Sequence, residues 1–149
     1  MKRWILAAFM GLTGPALAAG DIVKVAAERD VPATMDALER AVKAAGATVF
    51  ARIDHGAGAA SAGVELAPAQ LLVFGNPRLG SPAMQDSALA GLYLPLRVLV
   101  HEDASGQVWL AYEDPAGMLA ALDGIEGDAG YIERMRGALQ RLTESAAGG

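Results

Sequence analysis

The run Leu71-Leu72-Val73-Phe74 is apolar at every position, and Val98-Leu99-Val100 repeats the behaviour. Successive residues of a strand point to opposite faces, and an antiparallel sheet with one wet face alternates apolar with polar. Two strands that are apolar front and back therefore need cover on both sides. Two helices can supply one cover. The other must come from a partner subunit, a bound ligand, or the long connection from Arg78 to Tyr93 folded back across the sheet, which carries Met84, Leu89, Leu92 and Tyr93. Self-coverage and a homodimer both satisfy the pattern, and a ligand can share either arrangement.

The remaining periodicities place these strands in an α+β domain. Ile22 to Ala26 is partly β-branched and reads as a first strand. Asp30 is placed to cap a helix running to about Ala45, with Pro32 in its first turn, Gly46 beyond its end, and Met35, Leu38, Val42 and Ala45 on one stripe. Thr48 to Ile53 reads as a second strand, with Val49, Ala51 and Ile53 on one face and Phe50 and Arg52 on the other. Gln70 to Phe74, Leu94 to His101 and Gln107 to Tyr112 follow as strands, the last two joined by a turn at Asp103-Ala104-Ser105-Gly106. Asp128 is placed to cap a last helix through Ile132, Met135, Leu139 and Leu142. The expected order is strand, helix, four strands, helix, forming an antiparallel sheet with its helices packed on one face.

The ends of the chain read differently. Lys2 and Arg3, an uncharged run from Trp4 to Leu12, a break at Gly14-Pro15 and the small residues of Ala16-Leu17-Ala18 have the order of a signal peptide cleaved after Ala18. The apolar run is shorter than the about 20 residues a membrane span needs, so no stable anchor is expected after cleavage. The expected divisions are a leader at 1–18, one domain at 19–144 and a frayed tail at 145–149, in a periplasmic or secreted protein. The full chain carries 12 Lys and Arg against 17 Asp and Glu; loss of Lys2 and Arg3 leaves 10 against 17, a net charge of −7. That balance opposes nucleic acid and anionic membrane surfaces as partners. With no cysteine, disulfides, thiolate nucleophiles and Cys-ligated metal centres are excluded.

Phe50-Ala51-Arg52-Ile53-Asp54-His55, Leu72-Val73-Phe74-Gly75-Asn76-Pro77, Leu94-Pro95-Leu96-Arg97-Val98-Leu99-Val100, Glu102-Asp103, and Tyr112 with Asp114-Pro115 occur in that order. Together they resemble the signature of the domain of unknown function 302 family, from about Ile22 to Leu142. The resemblance implies a single copy of the fold that TATA-binding protein contains twice, usually paired as a dimer. It implies no DNA binding, because fold does not fix function.

The candidate ligand-binding set is His55, Asp54, Asn76, Gly75 and Tyr112. Imidazole ligates haem iron and other transition metals, and in a two-fold dimer one histidine per chain presents two ligands to one cofactor. The bland alternative for His55 is a hydrogen-bonded side chain fixing a strand end. His101 is the second candidate metal ligand, although neighbouring His101, Glu102 and Asp103 point alternately and read more simply as a solvated turn. Gly75-Asn76-Pro77 permits close backbone approach to a ligand and equally makes a turn; with no Lys-Ser or Lys-Thr after it, it is not a phosphate loop. Ser61, Ser81, Ser87 and Ser105 occupy no nucleophile-elbow setting, and Ser81-Pro82 reads as a helix cap. Glu113 and Asp114 read as solvated acids.

The expectation is an exported, non-enzymatic homodimer binding a small ligand near His55 and Asn76, with haem or a transition metal as the first cofactors to test. Two rivals stand beside it: an enzyme using His55 as general base with Asp54 or Glu102 nearby, and a ligand-free interaction module.

Overall fold

The computed structural model describes residues 21–148, so the expected leader at 1–18 lies outside the described residues. The elements are β1 (Ile22–Ala27), α1 (Val31–Ala44), β2 (Thr48–Asp54), α2 (His55–Ser61), β3 (Ala69–Gly75), α3 (Pro77–Asp86), a 3-10 turn (Ala88–Leu92), β4 (Leu96–Glu102), β5 (Val108–Glu113), α4 (Pro115–Leu119) and α5 (Gly130–Ala147). The strands form one sheet in the order β1-β5-β4-β3-β2, every neighbouring pair antiparallel. β1 and β2 are therefore opposite edges, and α1 carries the chain between them. The α+β class and the antiparallel sheet agree with the pattern of the sequence.

α1 starts where Asp30 accepts a 2.8 Å hydrogen bond from the Ala33 amide, and it ends at Gly46, whose φ of 74° suits a residue without a side chain. Its stripe of Met35, Leu38 and Val42 is fully buried, together with Ile132, Met135 and Leu139 of α5. Both helices meet each other and the sheet face formed by Leu72, Phe74, Val98, Val100 and Leu110. This is the core.

Several local expectations are corrected. α5 is not capped by Asp128: Ala129 occupies the N-cap with no side-chain bond, because a turn closed from the Ala129 amide to the Glu126 carbonyl delivers the chain one residue later. The tail expected to fray from Ser145 is helical through Ala147. Ala146 and Ala147 are buried there, and the Ala147 carbonyl accepts a 3.1 Å bond from the Glu28 amide. Ser81-Pro82 lies inside α3 rather than at its start, since Asn76 caps that helix and Pro77 opens it.

The faces of β2 also differ from strict alternation. The β2–β3 register shifts between Val49 and Ala51. This bulge leaves Val49 opposite Phe74 on the core side while Ala51 and Ile53 oppose Val73 and Leu71 on the other. Phe50, the extra residue, stands 58 % exposed.

The connection from Arg78 to Tyr93 does not cross the open sheet face. α3 packs against α5, Ala83 and Ala90 enter the core, and the Tyr131 hydroxyl donates a 2.9 Å bond to the Asp86 carboxylate. That connection therefore leaves most of the open face uncovered: α3 is held on the helix side by α5, Leu89 and Leu92 stand exposed, and of its residues only Tyr93 reaches the depression on the open face.

Candidate functional site on the open sheet face

Cross-strand register builds the uncovered face row by row. Ile53, Leu71, Leu99 and Ala111 are successive neighbours across β2, β3, β4 and β5, and Lys24 of β1 completes the row. Val73 opposite Arg97 lies on one side of it; Ala69, His101, Trp109 and Ala26 form the row on the other. Leu71, Val73 and Leu99 are half-buried, held there by their neighbours in the sheet rather than by a second layer. The apolar centre is bordered by charge at both ends.

At one border Arg97 meets Glu113 at 3.4 Å, where the β4–β5 backbone ladder has already stopped at Leu99 and Ala111. At the other, the Lys24 ammonium stands 5.0 Å from the centroid of the Trp109 ring, within cation–π range. The Trp109 indole in turn donates a 2.8 Å bond to Asp103. Asp103 also accepts from the Ser105 hydroxyl and amide and from the Gln107 amide. Bonds from Ser105, then from Trp109, hold its carboxyl well below the usual carboxylate range. The β4–β5 turn is thus tied to the indole, and Trp109 is a fixed platform beside His101.

A depression of about 510 Å³ opens on this face where β4 and β5 separate, with Lys24, Leu71, Arg97, Leu99, His101 and Glu113 in its outer walls and the core residues Tyr112, Met118 and Leu139 behind them. That volume is in the range of small-molecule and cofactor sites, roughly 300–1,000 Å³. His101 is its one imidazole among the described residues, and no three His, Asp or Glu side chains among those residues are grouped so as to hold a metal ion.

The residues expected to form one ligand site are divided among three places. Thr48 pairs with Gly75 at one end of β2 and Asp54 with Gln70 at the other, so Asn76 and His55 are separated by the length of β3, about 20 Å. Asp54 is occupied structurally: it caps α2 through the Ala57 amide at 2.8 Å and accepts from the Gln70 side chain at 3.0 Å. His55 is the first residue of α2 and exposed. Tyr112 is largely buried, which raises its hydroxyl pKa while Thr143 partly opposes the rise, and of the expected set it alone lines the depression that holds His101. Gly75 and Asn76 line a separate apolar cleft with Phe50, Met84 and Leu94.

His101 was legible as a ligand type, but its companions Lys24, Arg97, Trp109 and Glu113 were not. They come together only through the register of three strands. The signal that finds them is alternation: Arg97, Leu99 and His101 share one face of β4, and Trp109, Ala111 and Glu113 one face of β5.

The chain belongs to the family described as Domain of unknown function DUF302, whose model matches residues 23–143. A crystal structure of an uncharacterized conserved DUF302 protein from Bacillus stearothermophilus has the same fold: the TM-score is 0.74 at 17 % identity, over 84 % of this chain and 97 % of that one. Among curated proteins the chain is similar to the fluoride-specific ion channel FluC 1 of Brucella suis, 46 % identical over 95 residues, 64 % of this chain and 37 % of that protein. FluC 1 of Brucella abortus and FluC 2 of Brucella melitensis match at 46 % over 64 % of this chain and 35 % of their own length. The chain thus spans little more than a third of these relatives. Among the described residues, no helix is long and apolar enough to cross a membrane.

Proposed function

We propose that this chain is an exported, non-enzymatic homodimer whose subunits meet through the open sheet face and hold a cofactor between them, with His101 of each chain as a ligand. The observation that carries this reading is the uncovered row Ile53, Leu71, Leu99 and Ala111 beside a depression walled by His101. An apolar row of this kind gains about 25 cal/mol for each Å² removed from water. Arg97 and Glu113 sit together at its border, so a two-fold partner can exchange these charges across the interface without burying an unpaired one.

The donor set favours haem over a bare transition ion. A bare ion needs three or four ligands from protein, and no chain offers that grouping among its described residues. Haem iron, held by its own macrocycle, would need only an imidazole from the protein, and His101 of each subunit would supply one. When bound, haem supplies redox and gas-ligand chemistry; the residues here bind it, orient it and keep water from it. Leu71 and Leu99 offer the apolar contact, and Lys24 stands where a carboxylate side arm of such a cofactor finds a counter-charge. The fluoride conduction named for the Brucella proteins is outside this proposal, because the match spans about a third of their length.

Native mass spectrometry with an absorption spectrum, on protein isolated from its own envelope, tests the reading. The expected result is a dimer mass with a retained chromophore, and a His101→Ala protein that loses the chromophore. A dimer carrying nothing, or a chromophore indifferent to His101→Ala, would overturn the cofactor and leave a ligand-free interaction module.

A further inference from the structure

The other face of the molecule carries two clefts, on either side of the first turn of α3. One is apolar, about 220 Å³, and enclosed by Phe50, Met84, Leu94, Pro95 and Leu96. Phe50 and Met84 stand 58 % and 47 % exposed at its mouth. The Phe50 ring is there because the bulge in β2 turns it off the pleat, and Gly75 leaves the room: a Cβ at that position would stand 3.5 Å from the ring and 3.4 Å from the Pro95 side chain. An exposed phenylalanine and methionine flanking a concave apolar floor are the surface features that a small apolar body covers.

The adjoining cleft is basic. Within this acidic chain, Arg29, Arg52, Arg97 and Arg136 each meet a carboxylate or a backbone carbonyl. Among the described residues four arginines have no such partner, Arg40, Arg78, Arg134 and Arg141, and three of them line this one cleft. Arg134 and Arg141 are seven apart on α5, two turns along one helix face, with Gly137 and Ala138 between them as a low floor. The Arg141 guanidinium lies down over that floor, its Nη1 3.2 Å from where a Cβ of Gly137 would stand, while that of Arg134 lies one turn earlier, its Nη1 3.4 Å from where a Cβ of Gly130 would stand. Glu133, the one acid in the wall, is already bound to Arg136 at 2.8 Å. The amides of the first turn of α3 are also taken: Arg78 donates to the Asn76 side chain at 3.0 Å, and Leu79 to the Asn76 carbonyl at 2.9 Å. Attraction for an anion here therefore comes from the guanidinium groups, whose forked donors match the oxygens of a carboxylate or phosphate.

Asn76 and Leu79 line both clefts. From this juxtaposition we infer that the first turn of α3 is a binding site for a small amphiphilic organic acid, its apolar body against Phe50 and Met84 and its anionic head among Arg78, Arg134 and Arg141. The cavity is below the volume of a drug-sized ligand, which points to a short unbranched chain rather than a ring system. The site shares only Leu96 with the depression on the open sheet face, and none of its arginines line that depression.

Calorimetric titration of the mature chain with hexanoate, 1-hexanol and acetate at low ionic strength separates the two halves of the site. Hexanoate is expected to bind about tenfold more tightly than hexanol, as one charge-assisted hydrogen-bonded pair allows, and acetate more weakly than either. In an Arg134→Gln/Arg141→Gln protein the advantage of hexanoate over hexanol disappears while hexanol binding stays. Phe50→Ala weakens both. Equal binding of hexanoate and hexanol to the unaltered chain, or an advantage that survives the double arginine change, overturns the inference. Loss of dimer or chromophore does not enter this readout, so it fails separately from the proposed cofactor function.

Discussion

The two faces of the sheet are built from the same residue types and meet opposite fates. Leu72, Val98, Val100 and Leu110 look toward the helices and are fully buried, whereas Leu71, Val73 and Leu99, one residue along the same strands, are left half-covered. Helix-face side chains are surrounded by partners from α1 and α5; open-face ones have neighbours only within the sheet. Apolar composition therefore does not decide which face is the core. The crossing of α1 from one edge to the other, with α5 laid beside it, decides it, and the remaining apolar face becomes available for binding.

The largest expected effect comes from truncating one residue on each face. Leu110→Ala removes a fully buried side chain and is expected to cost about 3 kcal/mol in denaturant unfolding, the transfer and cavity loss together. Leu99→Ala, measured at protein concentrations low enough to dissociate any dimer, is expected to cost about 1 kcal/mol. Equal losses would break the distinction between the faces.

A smaller effect is expected where the helix face closes over itself. Gly124 has a φ of 90°, and a Cβ there would lie 2.5 Å from the Asp86 carbonyl oxygen. Gly124→Ala is expected to cost about 2 kcal/mol, from backbone strain and the forced shift of Asp86. At the neighbouring Tyr131, burial and then the hydrogen bond to Asp86 push the hydroxyl pKa up to about 12. Its neutral form is the one the fold prefers, so this stability is complete below the unfolded tyrosine value of about 10 and lost as pH rises from there toward 12. Tyr131→Phe is expected to cost about 1 kcal/mol at pH 7 and to flatten that alkaline slope in a pH series of unfolding curves.

The smallest effect belongs to the open-face border. Asp103 has a depressed pKa, so its contribution is present above the unfolded aspartate value of about 3.9 and fades as pH falls below it. Asp103→Asn is expected to lower the acid-side slope of stability slightly and to release the Trp109 ring, seen as a change in its fluorescence. An unchanged emission spectrum would mean that the indole is not held by that carboxylate.

Much of this architecture was legible in the sequence because it rests on local periodicity. The stripe Met35, Leu38, Val42 and the stripe Ile132, Met135, Leu139, Leu142 each define a helix without reference to anything distant. Short helices were less visible. Asn76-Pro77 and Asp114-Pro115 are words for a turn and for a helix start alike, and both became starts, with the acceptor side chains bonded to Arg78 and Ala116. The site was the least legible part. Register is a tertiary property, so nothing local shows that Lys24 stands over Trp109 or that the bulge at Phe50 separates Val49 from Ala51 and Ile53. His55 and Asn76 read as one site because both stand at strand ends, but in an antiparallel pair those are opposite ends of the ladder.

The most direct test of the open face is the mass in solution of residues 19–149 and of their Leu99→Lys form, by sedimentation equilibrium at micromolar concentration. The account predicts a dimer for the first and a monomer with an unchanged far-ultraviolet circular dichroism spectrum for the second. A folded monomer for the unaltered chain, or a dimer that tolerates lysine at the centre of that face, would contradict it.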